Sequence, residues 1–180
     1  MRNPFLIGER IYLRALDESD LTPAYREWFN DAEVCRYSSH HRFPKQDQDM
    51  RAYYEGVIKS RENLILAICD KETEEHLGNI ALENIHSVNQ SAEFAVVIGE
   101  KKAWGKGIGT EAARLIVAHG FNDLNLHRIW MGTLADNIGM QRIALALGFQ
   151  EEGRSREEEY KDGRFNDVIR YGLLRHEFEA

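Results

Sequence analysis

The sequence is poor in the features that mark several protein classes. It holds two cysteines, Cys35 and Cys69, in unrelated segments. A disulfide framework or a cysteine-based zinc site needs more thiols at closer spacing. It holds three prolines and no Pro/Gly/Ser-rich tract, so nothing reads as a linker and residues 1–180 read as one domain. No apolar run approaches the roughly 20 residues that span a bilayer. No apolar leader follows Met1-Arg2-Asn3-Pro4, so the expected compartment is the cytoplasm, with no membrane partner. Basic charge is also in deficit: 23 Lys and Arg against 30 Asp and Glu leave a net charge of −7. A general nucleic-acid partner is thereby excluded, because neutralising phosphates takes a basic face. A local pocket for a phosphorylated small molecule is not.

What is present fits a globular fold. At 180 residues and 43% hydrophobic, the chain can bury a real core. Ile11 to Arg14 reads as a strand. Asp17-Glu18-Ser19-Asp20 carries helix-start chemistry ahead of a helical stripe of Tyr25, Trp28 and Phe29. A second helix is expected from about Gln46 to Lys59. Leu64–Cys69, His76–Ile85 and Ala92–Ile98 read as an antiparallel meander. The period then turns helical from Gly109, returns to strand at Arg128–Thr133 and to helix at Asn137–Leu147. Phe149–Leu174 reads as two strands joined at Lys161-Asp162-Gly163-Arg164, where Asp-Gly is a hairpin signal. This order implies an α/β fold: a mixed sheet with helices packed on it.

The most informative segment is Trp104-Gly105-Lys106-Gly107-Ile108-Gly109-Thr110-Glu111-Ala112, between a strand and a helix. Glycines permit positive φ and close approach of a ligand, and the unpaired N–H groups of a helix start face an anion. A P-loop is excluded because Gly107, not Ser or Thr, follows Lys106. A dinucleotide fingerprint is disfavoured because the third glycine comes one residue early and the upstream strands read as antiparallel. The remaining spacing, Gly-x-Gly-x-Gly, matches the pyrophosphate loop of acyl-CoA N-acyltransferases; the bland alternative is a glycine-rich turn with no ligand.

The segment Trp104–Ala112 resembles the coenzyme A signature of the GNAT superfamily of N-acetyltransferases. Leu126-His127-Arg128-Ile129, Asn137, Leu147-Gly148-Phe149 and Glu152-Gly153 resemble the second half of that signature. Lys161 to Val168 resembles the closing hairpin of the branch that holds ribosomal-protein alanine, polyamine and amino-sugar acetyltransferases. Ile11 to Ala15 and Trp28-Phe29-Asn30-Asp31 fit the same branch. The likeness covers nearly the whole chain, is specific for the superfamily and is weak for substrate. It implies a mostly antiparallel mixed sheet with splayed central strands and flanking helices. It implies acetyl-CoA as co-substrate, no metal, and acetylation of a primary amine in a ternary complex. The pantetheine arm would pair near Val96, Val97 and Ile98. The pyrophosphate would sit on Gly105, Lys106, Gly107, Ile108, Gly109 and Thr110. Asn137 would face the pantetheine arm, and it is also a good helix N-cap.

The likeness has one departure. Relatives place a Ser three residues after this Asn, or a Tyr seven after it, as acid toward the leaving thiolate; here Met140 and Ala144 stand there. Neither donates a proton, although a thiol of pKa about 8.5 leaves with little help. Tyr37, Tyr160 and Tyr171 are candidate donors among which the sequence does not choose. Glu93, on the face of its strand shared by Ala95 and Val97, is either a solvated strand residue or the general base that takes the amine proton. The basis for the second role is that relatives often carry a carboxylate on this strand, and burial would raise its pKa toward neutrality. His40-His41 has no third ligand at metal spacing and reads as a loop at the substrate mouth. His119 reads as a packed helical residue. Glu157-Glu158-Glu159 reads as a solvated strand end that could draw a cation. A protein α-amine or a small amine such as an amino sugar ranks above a polyamine, because the acidic balance is diffuse. Exposed sheet edges make a homodimer an expectation. The rival readings are a non-catalytic acyl-CoA sensor, a nucleotide-binding oxidoreductase and an interaction module with a vestigial loop.

Overall fold

The unbroken apolar run at residues 64–69 marks a strand that is covered on both faces. In the structure, a computed structural model that describes residues 1–178, this strand is β3 (Leu64–Asp70). Before it come β1 (Leu6–Ile7), β2 (Ile11–Ala15), α1 (Pro23–Asn30) and α2 (Asp47–Lys59). After it come β4 (His76–His86), β5 (Ser91–Ile98), α3 (Ile108–Asn122), β6 (Arg128–Leu134), α4 (Ile138–Ala146), β7 (Gln150–Lys161) and β8 (Arg164–Leu174). The strands form one sheet in the order β1-β2-β3-β4-β5-β6-β8-β7. Every neighbouring pair is antiparallel except β5 and β6, which are parallel.

Leu66 and Ile68 of β3 join a core with Ile80, Leu82 and Phe94, closed by Ala112, Ile116, Val117 and Phe121 of α3. Ile65, Ala67 and Cys69 face the other way, onto Tyr12, Leu16 and Ala81, with Tyr54 and Val57 of α2 beside them. Tyr25, Trp28 and Phe29 of α1 form a third cluster with Met50 of α2. Helices therefore cover both faces of the strand, and that explains its lack of alternation. Trp28 fixes the end of β5: a Cβ on Gly99 would overlap its ring, and its Nε1 donates to Glu100 at 2.9 Å. Among the described residues no helix is long and apolar enough to cross a membrane.

Two local expectations are corrected. The short β1 went unread, because a two-residue strand shows no alternation. The segment Asp17–Asp20 does not open α1. It forms one 3-10 turn, in which Asp17 accepts from Ser19 N (2.9 Å) and Asp20 from Asp17 N (2.8 Å). Helix α1 starts later, on Pro23, with Thr22 as its cap. The hairpin signal holds: Asp162 and Gly163 have φ of 52° and 78°, and the strands pair from Lys161↔Arg164. Most other predicted element ends move by one or two residues.

Asp20 turns inward because it binds Arg14. The guanidinium donates to both carboxylate oxygens, at 2.7 and 2.6 Å, and both side chains are buried. Burial pushes Asp20 up, but Arg14, the Asp17 amide and His76 outweigh it and hold Asp20 below its ordinary 3.8. A depressed carboxylate stabilises the fold above its unfolded pKa, and that contribution is lost as pH falls through the folded value. Stability is therefore expected to fall as pH drops below about 4. The substitution Asp20→Asn leaves Arg14 buried and unpaired and is expected to cost about 3–5 kcal/mol at pH 7, measured by urea unfolding.

Candidate active site

The site begins where two strands part. β5 and β6 pair only at Ser91↔Arg128, Ala92↔Ile129 and Glu93↔Trp130. Beyond that point β6 stays with β8 as far as Leu134↔Val168, and β5 stays with β4 as far as Ile98↔Gly78. A cavity of about 320 Å3 opens in the gap, with Glu93, Val96 and Val97 on one side and Gly132, Thr133 and Leu134 on the other. A second cavity, about 570 Å3, shares the walls at Val96, Val97, Asn137 and Met140 and runs to the loop at Trp104–Thr110. Together they form a path from the sheet interior to the start of α3.

The loop is built for close approach of an anion. Gly107 has a φ of 77° and is the left-handed N-cap of α3, so that the first intrahelical bond is Glu111 N to Gly107 O. The amides of Ile108, Gly109 and Thr110 find no acceptor among the described residues, and they lie at the positive end of a 15-residue helix. The loop is anchored from outside. Arg10 donates to the Lys106 carbonyl at 2.7 Å and to Glu111 at 2.9 Å.

Of the residues expected to hold the cofactor, Val96, Val97, Ile98, Gly105, Gly107, Ile108, Gly109, Thr110 and Asn137 all line the larger cavity. Lys106 does not, and its carbonyl is already bound. The Ile98 carbonyl is also taken, by Trp104 Nε1 at 2.8 Å. Asn137 caps α4: Oδ1 accepts from Met140 N at 3.1 Å, and Nδ2 donates to Thr133 Oγ1 at 3.0 Å. Its side chain thus holds α4 against β6 at the junction of the two cavities. Met140 lines both cavities, whereas Ala144 is fully buried in the core.

Glu93 is half-buried at the point of divergence and accepts from Asn84 Nδ2 at 3.0 Å. Its face is as the alternation indicates: Phe94 packs inward, 6.2 Å from Phe149, while Glu93 points away. Its cross-strand partner Glu83 is likewise half-buried. Burial pushes the Glu83 carboxyl up, and Glu93 opposite pushes it further. Glu83 was missed because only the register between β4 and β5 pairs the two acids. A third cavity, about 320 Å3, has Asn79, Ala81 and Glu83 with Ala95 and Val97 as its floor and His40 and Tyr53 on its walls. Burial lowers His40, aided by Lys45 and Lys161, and raises Tyr53. His119 is packed edge-on against Phe5 and paired with Asp123 at 3.0 Å. Glu158 and Glu159 line the gap but are held by Arg170 and Arg42. Among the described residues no group of His, Cys, Asp and Glu could hold a metal.

The family model described as "Acetyltransferase (GNAT) domain" matches residues 10–150. An uncharacterized N-acetyltransferase p20 of Bacillus licheniformis is 31% identical over 96% of this chain and 97% of its own length. The spermidine N(1)-acetyltransferase of Escherichia coli (strain K12) is 28% identical over 94% of this chain and 89% of its own. The solved spermidine N-acetyltransferase of Vibrio cholerae, in complex with CoA and spermine, superposes with a TM-score of 0.85 at 25% identity, covering 93% of this chain and 97% of that one.

The Glu83–Glu93 pair makes its own prediction. A carboxyl with a raised pKa favours the fold fully below its unfolded value of 4.5, and that support is lost as pH rises through the folded pKa. Glu83→Gln removes a like-charge cross-strand pair and is expected to stabilise the protein by roughly 0.2–1 kcal/mol at pH 7. In urea titrations the gain should vanish at acid pH; an equal gain at all pH values would argue against the pair.

Proposed function

The chain belongs to the acetyltransferase (GNAT) family, and from that we propose that it acetylates a primary amine by direct attack on acetyl-CoA within a ternary complex. The observation that carries the proposal is the loss of β5–β6 pairing after Glu93, which opens a path to the unpaired amides at the start of α3. Those amides would bind the pyrophosphate, with Gly105 and Gly107 allowing its approach. The pantetheine arm would lie along the unpaired edge of β5 at Val96, Val97 and the Ile98 amide, facing Asn137. Its thioester would then rest near Glu93.

Glu93 would take a proton from the amine. The amine nitrogen would attack the carbonyl carbon, unpaired β5 amides would hold the developing oxyanion, and the C–S bond would break. The products would be an N-acetyl amine and the free thiol. The acceptor would enter by the third cavity. We rank a protein α-amine or a small amine, including an amino sugar, first. Polyamines belong in the panel because two relatives act on spermidine, although Lys45 and His40 stand beside Glu83 in that cavity. A homodimer and a cytoplasmic location complete the proposal.

Thiol release from acetyl-CoA against a panel of α-amines, amino sugars and spermidine is the decisive assay. Turnover of any amine disposes of the sensor reading, and coenzyme A binding without nicotinamide binding disposes of the oxidoreductase. Gly107→Val places a β-branched residue at positive φ, with its Cβ 3.3 Å from the Arg10 guanidinium that anchors the loop. Acetyl-CoA affinity by calorimetry should be lost while circular dichroism still reports a folded chain. Glu93→Gln should lower kcat by about 10²-fold at pH 7 with acetyl-CoA affinity unchanged. The loss should shrink at higher pH, since an α-amine of pKa about 7.7–8.0 then deprotonates unaided. Wild-type kcat in this variant at pH 7 would remove Glu93 from the mechanism.

A further inference from the structure

The departure at Met140 and Ala144 leaves the thiolate without an acid from α4. Three tyrosines could supply one from elsewhere, and the structure separates them. Tyr171 is buried in the core beneath the sheet. Tyr160 lies on the exposed hairpin, edge-on to Phe165 at 5.1 Å, and lines neither cavity of the strand gap. Tyr37, on the segment between α1 and α2, lines both.

The position of Tyr37 is specific. The residues common to both cavities include Val96, Val97, Asn137 and Met140, where a pantetheine arm entering from α3 would end. Ser38 is the other hydroxyl common to the two, and its Oγ is directed to the Cys35 carbonyl at 3.5 Å. The Tyr37 hydroxyl has no hydrogen-bond partner among the described residues, and 37% of the residue is exposed.

The segment that carries Tyr37 is fastened from both sides. Lys161, at the end of β7, donates to the carbonyls of Cys35 at 2.9 Å and Ser38 at 2.8 Å. Cys35 is buried and donates to the Trp28 carbonyl at 3.2 Å. Arg42 binds Glu159 at 2.7 Å. Two carbonyls that bracket Tyr37 are thus bound by one ammonium from the other end of the chain.

We propose that Tyr37 is the proton donor to the leaving sulfur, held in place by Lys161, which acts as a positioning residue. The proposal rests on the acetyl transfer described above. As the tetrahedral adduct collapses, the C–S bond breaks and its electron pair goes to sulfur. The Tyr37 O–H bond delivers its proton to that sulfur, giving the free thiol. The phenolate is reprotonated from solvent, and the amine proton leaves through Glu93, so that amine and thioester yield amide and thiol with no other reactant.

The test compares wild type, Tyr37→Phe, Tyr160→Phe and Lys161→Met in the amine panel and in acetyl-CoA calorimetry. Tyr37→Phe keeps the ring and removes the proton. Its kcat should fall by about 10- to 100-fold, with unchanged acetyl-CoA affinity and unfolding midpoint, while Tyr160→Phe matches wild type. Lys161→Met should lower kcat in the same way, with Lys161→Arg recovering part of it. Wild-type kcat in Tyr37→Phe, or a loss that appears wholly as weaker acetyl-CoA binding, overturns the assignment. A wild type that binds acetyl-CoA but acetylates no amine overturns the parent reading as well, which distinguishes the two failures.

Discussion

The site depends on one constraint: β5 and β6 can pair for only three residues. Each strand is committed to another partner over most of its length, β5 to β4 and β6 to β8. The two halves of the sheet separate once those commitments outweigh the parallel ladder between them. An unpaired strand edge normally invites another strand. Here the edge is enclosed by α4, the α1–α2 segment and the β7–β8 hairpin, so what it can pair with is a narrow, extended ligand. The gap also points at the start of α3, where the glycine loop leaves three amides unpaired. The strand edge and the helix start therefore offer backbone groups to the two ends of one long molecule.

Electrostatics sort the surroundings by function. Arg14 and Asp20 line neither cavity of the gap and bind each other through two hydrogen bonds, which suits a structural pair. Glu83 and Glu93 face each other across β4 and β5 with no cation between them, and Glu83 makes no ion pair among the described residues. A fold selected only for stability would not place like charges in register. Glu83 lies with Ala81 and Ala95 on the third cavity, whereas Glu93 lines the gap.

The sequence was legible where the backbone takes a special conformation. Gly105 and Gly107 have φ of 70° and 77°, and a conformation that most side chains avoid leaves a clear residue pattern. The hairpin at Asp162-Gly163 was legible for the same reason. Glu93 could be placed on the correct face because strand alternation is local. Glu83 could not be matched to it, because register between strands is a property of the sheet. The segment Asp17–Asp20 does carry a capping box, but it opens a 3-10 turn and not α1, and Asp20 also binds Arg14 on β2, a partner that composition does not show.

The least legible parts are those that would meet the acceptor. The side of the cleft that would hold the cofactor comes, Asn137 apart, from one continuous segment, from β5 through the loop into α3. The opposite wall combines Tyr37 and His40 before α2, Glu83 on β4 and Lys161 on the closing hairpin, residues that span most of the chain. Their proximity comes from long-range contacts, such as Lys161 on the carbonyls of Cys35 and Ser38. Such contacts leave no spacing rule in the sequence. A chain can therefore keep the phosphate loop that identifies its donor while the wall that selects its acceptor is rebuilt from side chains. On the proposed reading, donor specificity would reside in the backbone, whereas acceptor specificity would reside in the side chains gathered under the hairpin.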